Sequence, residues 1–160
     1  TSGGVSVGQE DHVKQAVEAL GALHACRLAI KPGRPIAFGQ VGRVPFVGLP
    51  GNPAAVMVTF LNIVRPLVLR LLGAGELEPQ RFAVRAAFAH RKKKDRREWV
   101  RASLRRNGGG ELEAVKFPRE GAGILSSLVE SDGLVELPEE MTQLEEGSMV
   151  TFLPFSEVMA

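Results

Sequence analysis

The residues best suited to chemistry in this chain sit in two glycine-rich loops and one cationic turn. The first loop is the opening stretch, Thr1-Ser2-Gly3-Gly4-Val5-Ser6-Val7-Gly8-Gln9-Glu10-Asp11. Gly3, Gly4 and Gly8 let the backbone approach a ligand closely, Ser2 and Ser6 add hydroxyl donors, and amides entering a helix can face an anion. Asp11 then places a carboxylate where a bound phosphate needs a divalent cation. The second loop, Gly48-Leu49-Pro50-Gly51-Asn52-Pro53, follows the apolar run Val44-Pro45-Phe46-Val47 and precedes a long apolar segment. Asn52 has the side chain of an N-cap, and Pro53 suits the first helical position, where a missing N–H costs nothing. Singly, each loop is equally well an ordinary turn. As two strand–loop–helix turns in one open α/β sheet with parallel strands, both lie at carboxyl ends of strands, where ligands bind.

Between the loops, Arg27-Leu28-Ala29-Ile30-Lys31-Pro32-Gly33-Arg34-Pro35-Ile36-Ala37-Phe38-Gly39 reads as a short strand, a rigid turn and a second strand. Pro32 and Pro35 restrict the turn, so Lys31 and Arg34 are presented with little entropy to lose. On its own this is a solvated surface turn. Beside two anion-suited loops it supplies the positive charge a phosphate or oxyanion requires.

The stretches TSGGVSVGQED, LAIKPGRPIAFG and GLPGNPAAVMVTF, in that order, resemble the molybdopterin molybdenumtransferase family, which includes MoeA and the E domain of gephyrin. The resemblance runs along essentially the whole chain and corresponds to the C-terminal part of the family's usual length. With no initiator Met and a start inside a motif, the expectation is a fragment whose first domain is incomplete and which is inactive alone. The resemblance implies insertion of molybdenum from molybdate into adenylylated molybdopterin, with Mg²⁺ and release of AMP. It also implies a small-molecule substrate, a homodimeric full-length protein in the cytoplasm, an adenylyltransferase upstream and molybdoenzyme acceptors downstream. Carried over by position, Asp11 joins the Mg²⁺ and phosphate site, and Arg27, Lys31 and Arg34 bind anionic oxygens. Pro50 and Pro53 shape the pocket wall beside Gly51 and Asn52, and Arg101 reaches in from the second domain.

Three departures bear on that transfer. Arg27 stands where members commonly have Lys, which keeps the charge and changes the donor geometry. Ala55 and Ala122 stand where Ser is frequent, which removes two hydroxyl donors. A reading from another class is a noncatalytic scaffolding or peptide-binding module of the same fold; retention of Asp11, Lys31 and Arg101 favours the enzyme. A generic nucleotide-binding domain is disfavoured because no Gly-Lys-Ser/Thr follows the first loop.

The elements that must position these residues are legible from periodicity. Val13, Val17, Leu20 and Leu23 predict an amphipathic helix over residues 11–25. Val56, Met57, Phe60, Leu61, Val64, Leu67, Val68 and Leu71 predict a core helix, kinked at Pro66 and ended by Gly73. Residues 73–79 read as a linker. Beyond it the period drops to two: Phe82, Val84 and Ala86, then Trp99, Arg101 and Ser103, then Leu112 and Val115, with further strands near residues 134–137 and 149–152. Asn107-Gly108-Gly109-Gly110 predicts a hairpin turn. The expected fold is α/β, with part of a molybdopterin-binding α/β sheet domain over residues 1–75 and a small β-barrel-like domain over residues 76–160.

Composition narrows the partners. A formal charge of +2 gives no field for nucleic acid, and one Trp with no Tyr leaves little for base stacking. The basic run over residues 90–97 therefore reads as a solvated hairpin tip, offset globally by Glu139, Glu140, Glu145 and Glu146. The lone Cys26 excludes an internal disulfide, fits a reducing compartment and reads as a small core residue. His12, His24 and His90 have no metal-ligand spacing with it. The apolar run over residues 54–72 is broken by Asn62, Arg65, Pro66 and Arg70, which argues against a membrane span.

Overall fold

The computed structural model describes residues 1–3, 12–119, 121 and 124–159. Gly4, Ser6, Gly8 and Asp11 of the first loop, and Ala122, lie outside the described residues. The chain divides into two compact units, Thr1–Leu77 and Glu78–Ala160.

In the first unit, helix α1 (His12–Leu20) buries Val17 and stops short of its expected end. At Gly21 the chain enters strand β1 (Gly21–Arg27), so Leu23 belongs to a strand and not to the helix. The cause is the approach of strand β3 (Pro35–Val41): a Cβ at residue 21 would lie 1.9 Å from the Gln40 carbonyl oxygen, so only glycine admits this pairing. β1 runs antiparallel to β3 from Gly21↔Val41 to Arg27↔Pro35. β3 in turn pairs antiparallel with β4 (Val44–Gly48). The expected parallel sheet is therefore corrected: these three strands are antiparallel, and among the described residues of this unit parallel pairing enters where Ser2 bridges Leu49. The strand expected near Arg27 lies earlier in the chain. Leu28 instead closes a loop by donating its N–H to the Arg34 carbonyl at 2.8 Å, around the two-residue strand β2 (Ile30–Lys31). Cys26 is exposed on β1, so its reading as a core residue is also corrected.

Helix α2 (Pro53–Thr59) begins as its sequence requires, with the Asn52 side chain accepting the Ala55 N–H at 3.3 Å. A π-helical turn (Phe60–Val64) separates it from α3 (Arg65–Leu71). Pro66 lacks an N–H and needs room for its ring, and the helix supplies that room by widening one turn earlier, Arg65 donating to Phe60 O. The helix ends at Gly73 in a Schellman motif, with Gly73 N–H on Arg70 O at 3.1 Å and Ala74 N–H on Leu69 O at 2.9 Å. By length and composition alone Pro53–Leu71 is apolar enough to cross a membrane. Its first half is core, with Ala54, Ala55, Val58 and Leu61 buried, while Phe60, Val68 and Leu71 are exposed.

The second unit is a closed five-stranded barrel. Its strands are β5 (Phe82–Ala86), β7 (Arg97–Arg106), β8 (Leu112–Lys116), β9 (Gly133–Leu137) and β11 (Met149–Pro154). The neighbours run β7-β8-β5-β11-β9, and β9 returns to β7, which closes the ring. Only β5 and β8 are parallel. Val84, Val100, Ala102, Val135, Val150 and Phe152 fill the interior. By alternation along β7, Trp99, Arg101 and Ser103 lie on the opposite face. The expected β7–β8 hairpin forms, Asn107 Oδ1 accepting the N–H groups of Gly109 at 2.9 Å and Glu111 at 3.0 Å. Two-residue strands β6 (His90–Arg91) and β10 (Gln143–Leu144) pair beside the barrel, and α4 (Ser126–Val129) and α5 (Ser156–Met159) are single turns.

Within the basic run Arg91, Lys93, Lys94 and Asp95 are exposed, as expected of a solvated tip, but Lys92 is not. Lys92 is 9% exposed, and its ammonium donates to the carbonyls of Lys93 (3.3 Å), Arg96 (2.6 Å) and Glu139 (3.2 Å). Buried Glu98 receives His90 Nε2 at 3.1 Å and a guanidinium N–H of Arg96. Arg97 grips Glu139 through Nε and Nη2, each at 3.0 Å, and Glu136 through Nη1 at 2.8 Å. The Glu139 hydrogen bond raises the Arg97 pKa, and the same bond holds the Glu139 carboxyl below its ordinary value. His90, Arg96 and Arg97 thus meet acidic partners locally.

Candidate functional site

In the first unit the two loop entrances lie side by side. The Thr1 amino group donates to Val47 O at 2.9 Å, Leu49 N–H to Thr1 O at 2.8 Å, and Gly3 N–H to Leu49 O at 3.1 Å. Residues 1–3 thus run parallel to residues 47–49, and both strands leave the sheet at the same end. A Cβ on Gly51 would stand 3.8 Å from Gly3 Cα, so the two loop backbones face each other without side chains between them. Ser2, Gly51 and Pro53 are exposed or partly so, Asn52 is committed to capping α2, and Pro50 is buried and supports the loop from below.

The cationic turn is held against α2, the helix that the second loop starts. Gly33 has φ +103°, and a Cβ there would lie 2.4 Å from Thr59 Cγ2 and 3.4 Å from Ala55 O. The tip therefore rests on α2 between Ala55, about one turn past the Asn52 cap, and Thr59 at the helix's last position. Pro32 and Gly33 are buried while Lys31 and Arg34 are exposed on either side, with Arg27 exposed at the end of β1. Among the described residues no carboxylate pairs with Arg27 or Arg34. Ala55 is 4% exposed beneath the turn, so a hydroxyl at this position would lie inside the unit.

Arg101, in the second unit, is half-buried on the outer face of β7 and not the freely exposed arginine of an ordinary strand. Its Nη2 donates to Gly121 O at 3.1 Å, and Nε is buried without an acceptor among the described residues. Desolvation lowers its pKa, and no carboxylate among the described residues faces it. Two features escaped the sequence: the buried cluster in which His90 Nδ1 lies 3.3 Å from Lys116 Nζ, and the indole N–H of Trp99, buried without an acceptor among the described residues. The alternation on β7 put Trp99 on the face of Arg101 but carried no sign that either would be desolvated.

Among the described residues no three His, Cys, Asp or Glu side chains gather to hold a metal ion. Asp11 lies outside them.

Residues 1–70 match the family model of a probable molybdopterin binding domain, and residues 83–155 that of the MoeA C-terminal region, domain IV. The molybdopterin molybdenumtransferase of Haemophilus influenzae is 35% identical over 99% of this chain and 40% of that protein. The protein of the same name from a Nostoc species is 33% identical over 96% of this chain and 36% of its own length. A crystal structure of the molybdopterin biosynthesis MoeA protein of a Pyrococcus species superposes with a TM-score of 0.73 at 30% identity, over 96% of this chain and 36% of that one. The chain spans well under half the length of these relatives. With a probable molybdopterin binding domain followed by domain IV, on a fold shared with solved MoeA proteins, the chain belongs to the MoeA family.

Proposed function

We propose that this chain acts in molybdenum cofactor biosynthesis as part of a molybdopterin molybdenumtransferase, inserting molybdenum from molybdate into adenylylated molybdopterin with release of AMP. The observations that carry the reading are the adjacency of Gly3 and Gly51 and the seating of the turn bearing Lys31 and Arg34 on α2, the helix that the second loop starts. Open backbone beside fixed cations suits a substrate that presents phosphate groups. In this reading Arg27, Lys31 and Arg34 hold the anionic pterin, Arg101 holds molybdate, and Asp11 is the carboxylate given to Mg²⁺. Because the relatives are much longer, we assign the complete activity to a full-length cytoplasmic homodimer. It would take its substrate from an adenylyltransferase and deliver to molybdoenzyme acceptors; the 160 residues alone would not complete insertion.

The test is a molybdate titration of cofactor formation in the full-length context. Arg101→Ala should raise the molybdate required about tenfold or more, since a charge-assisted contact is lost. Arg101→Lys should recover part of the loss, because a point charge replaces a planar fork. Lys31→Ala should weaken binding of the adenylylated pterin instead. Superimposable curves for all four proteins would refute the assignment.

A further inference from the structure

One end of the barrel is lined by charge instead of hydrocarbon. Glu98 continues along β7 the inward series of Val100 and Ala102, and Lys116 continues along β8 that of Ala114. The ribbon of β6 and β10 lies over this end. From it Leu144 packs into the barrel core, and His90, opposite Leu144 in the register, reaches both charged groups. His90 Nε2 stands 3.1 Å from Glu98 Oε2, and Nδ1 stands 3.3 Å from Lys116 Nζ. The imidazole is 8% exposed and the carboxylate 2%. An ammonium only donates, and an ionised carboxylate only accepts. The ring therefore accepts from Lys116 at Nδ1 and donates to Glu98 from Nε2, which makes it neutral and fixes its tautomer. A cleft of about 230 Å³ opens beside it, lined by Ala89, His90, Arg91, Gln143 and Leu144.

The charges that face the ring decide what a second proton does there. β7 contributes Glu98, whose carboxylate also holds Arg96, and β8 contributes Lys116. β10 contributes Gln143 and Leu144, which carry no charge. On the side of β6 itself, Arg91 is exposed and the Lys92 ammonium is bound by carbonyls. A proton on Nδ1 would set an imidazolium N–H against an ammonium and leave one carboxylate among three cations. Glu98 and His90 are enclosed, whereas Lys116 is partly exposed and carries its ammonium on a flexible stem. We propose that His90 is an acid-operated latch on this end of the barrel. Neutral, it ties Glu98 of β7 to Lys116 of β8. Protonated from solvent, it keeps Glu98 and drives the Lys116 ammonium out into water.

Two measurements on the same protein test the latch. Nitrogen-15 spectra of the imidazole rings should show His90 as the Nε2–H tautomer at about pH 8, with the exposed His12 and His24 as internal references. Reductive methylation, read by peptide mass spectrometry, should report Lys116 relative to the exposed Lys93 and Lys94 between about pH 8 and about pH 5, which bracket ordinary imidazole titration. The Lys116 ratio should rise about fivefold on acidification, the equivalent of one net hydrogen bond lost. The rise should follow the titration of the His90 ring with the same midpoint. His90→Gln keeps an N–H for Glu98 and an acceptor for Lys116 without a titrating group, so its ratio should not change with pH. An Nδ1–H tautomer, a constant wild-type ratio, or an equal rise in His90→Gln overturns the latch. If His90→Gln does not fold, agreement of the two wild-type midpoints decides: shared midpoints uphold the latch, and separate ones overturn it.

Discussion

Replacing Gly33 by alanine should unfold the cationic turn from the helix beneath it, and the structure gives the size of the effect. At φ +103° a side chain is strained by about 1–3 kcal/mol. The new Cβ would also stand 2.4 Å from Thr59 Cγ2. Thr59 cannot swing away cheaply, because it is wholly buried and its hydroxyl donates to Ala55 O at 2.6 Å and lies 3.1 Å from Val56 O. Overpacking of this kind costs about 1–3 kcal/mol more. Gly33→Ala should therefore destabilise by roughly 2–6 kcal/mol in urea denaturation followed by far-ultraviolet circular dichroism. Thr59→Ser removes the methyl and keeps the hydroxyl. Alone it should cost about 1 kcal/mol, but in the Gly33→Ala background it should restore part of the loss. Gly73→Ala is the control: φ is +83°, yet a Cβ there meets nothing within 4 Å, so only backbone strain of about 1 kcal/mol remains. A Gly33→Ala protein as stable as Gly73→Ala, or one whose loss adds to that of Thr59→Ser without coupling, would refute the seating of the turn on α2.

Two further outcomes follow from the second unit. Lys92→Met keeps the apolar stem but strips three carbonyls of their shared donor; it should lower stability by about 2–4 kcal/mol, measured as a shift of the urea midpoint seen by Trp99 fluorescence. The Arg97–Glu139 pair should make stability depend on acidity. Arg97 holds the folded Glu139 pKa below its ordinary value, so the pair contributes above the unfolded carboxyl pKa, and the contribution is lost as pH falls through the depressed folded value. Both side chains are more than a third exposed, which limits the effect to at most about 1 kcal/mol. The difference between wild type and Glu139→Gln should shrink on acidification and in high salt; a difference that persists unchanged would remove the pair from the stability of this unit.

Much of the scaffold was legible because single residues dictate it. Asn52-Pro53 fixes the start of α2, Gly73 the end of α3, and Asn107 with three glycines the β7–β8 hairpin. The helix over residues 11–25 failed because Leu23 continues the 3.6-residue period by coincidence, while Gly21 is needed by a strand that lies twenty residues further on. The antiparallel sheet was missed for the same reason, since pairing partners leave no local mark. Cys26 read as core because its neighbours are apolar, yet β1 has its side chains largely exposed. At the site, the loops and the turn were identifiable from glycine, proline and charge. The adjacency of Gly3 and Gly51, and the burial that makes Trp99 and Arg101 noteworthy, are tertiary facts. Lys92 shows the limit most clearly, because nothing in a run of cations distinguishes the one whose ammonium is enclosed.

Closure of the barrel has a consequence for how this protein is made. β5, the first of the five strands, takes its antiparallel partner from the last, with Val84 opposite Val150. The β7–β8 hairpin can form as soon as its two strands leave the ribosome, but the ring cannot shut until β11 has emerged. Until then β5 lacks that partner and the apolar interior has an open seam, exposed to water and to other nascent chains. The interval between synthesis of β5 and of Pro154 is thus when the second unit most needs a chaperone. A chain truncated before β11 should be found among aggregates or with protease and not as a smaller folded unit.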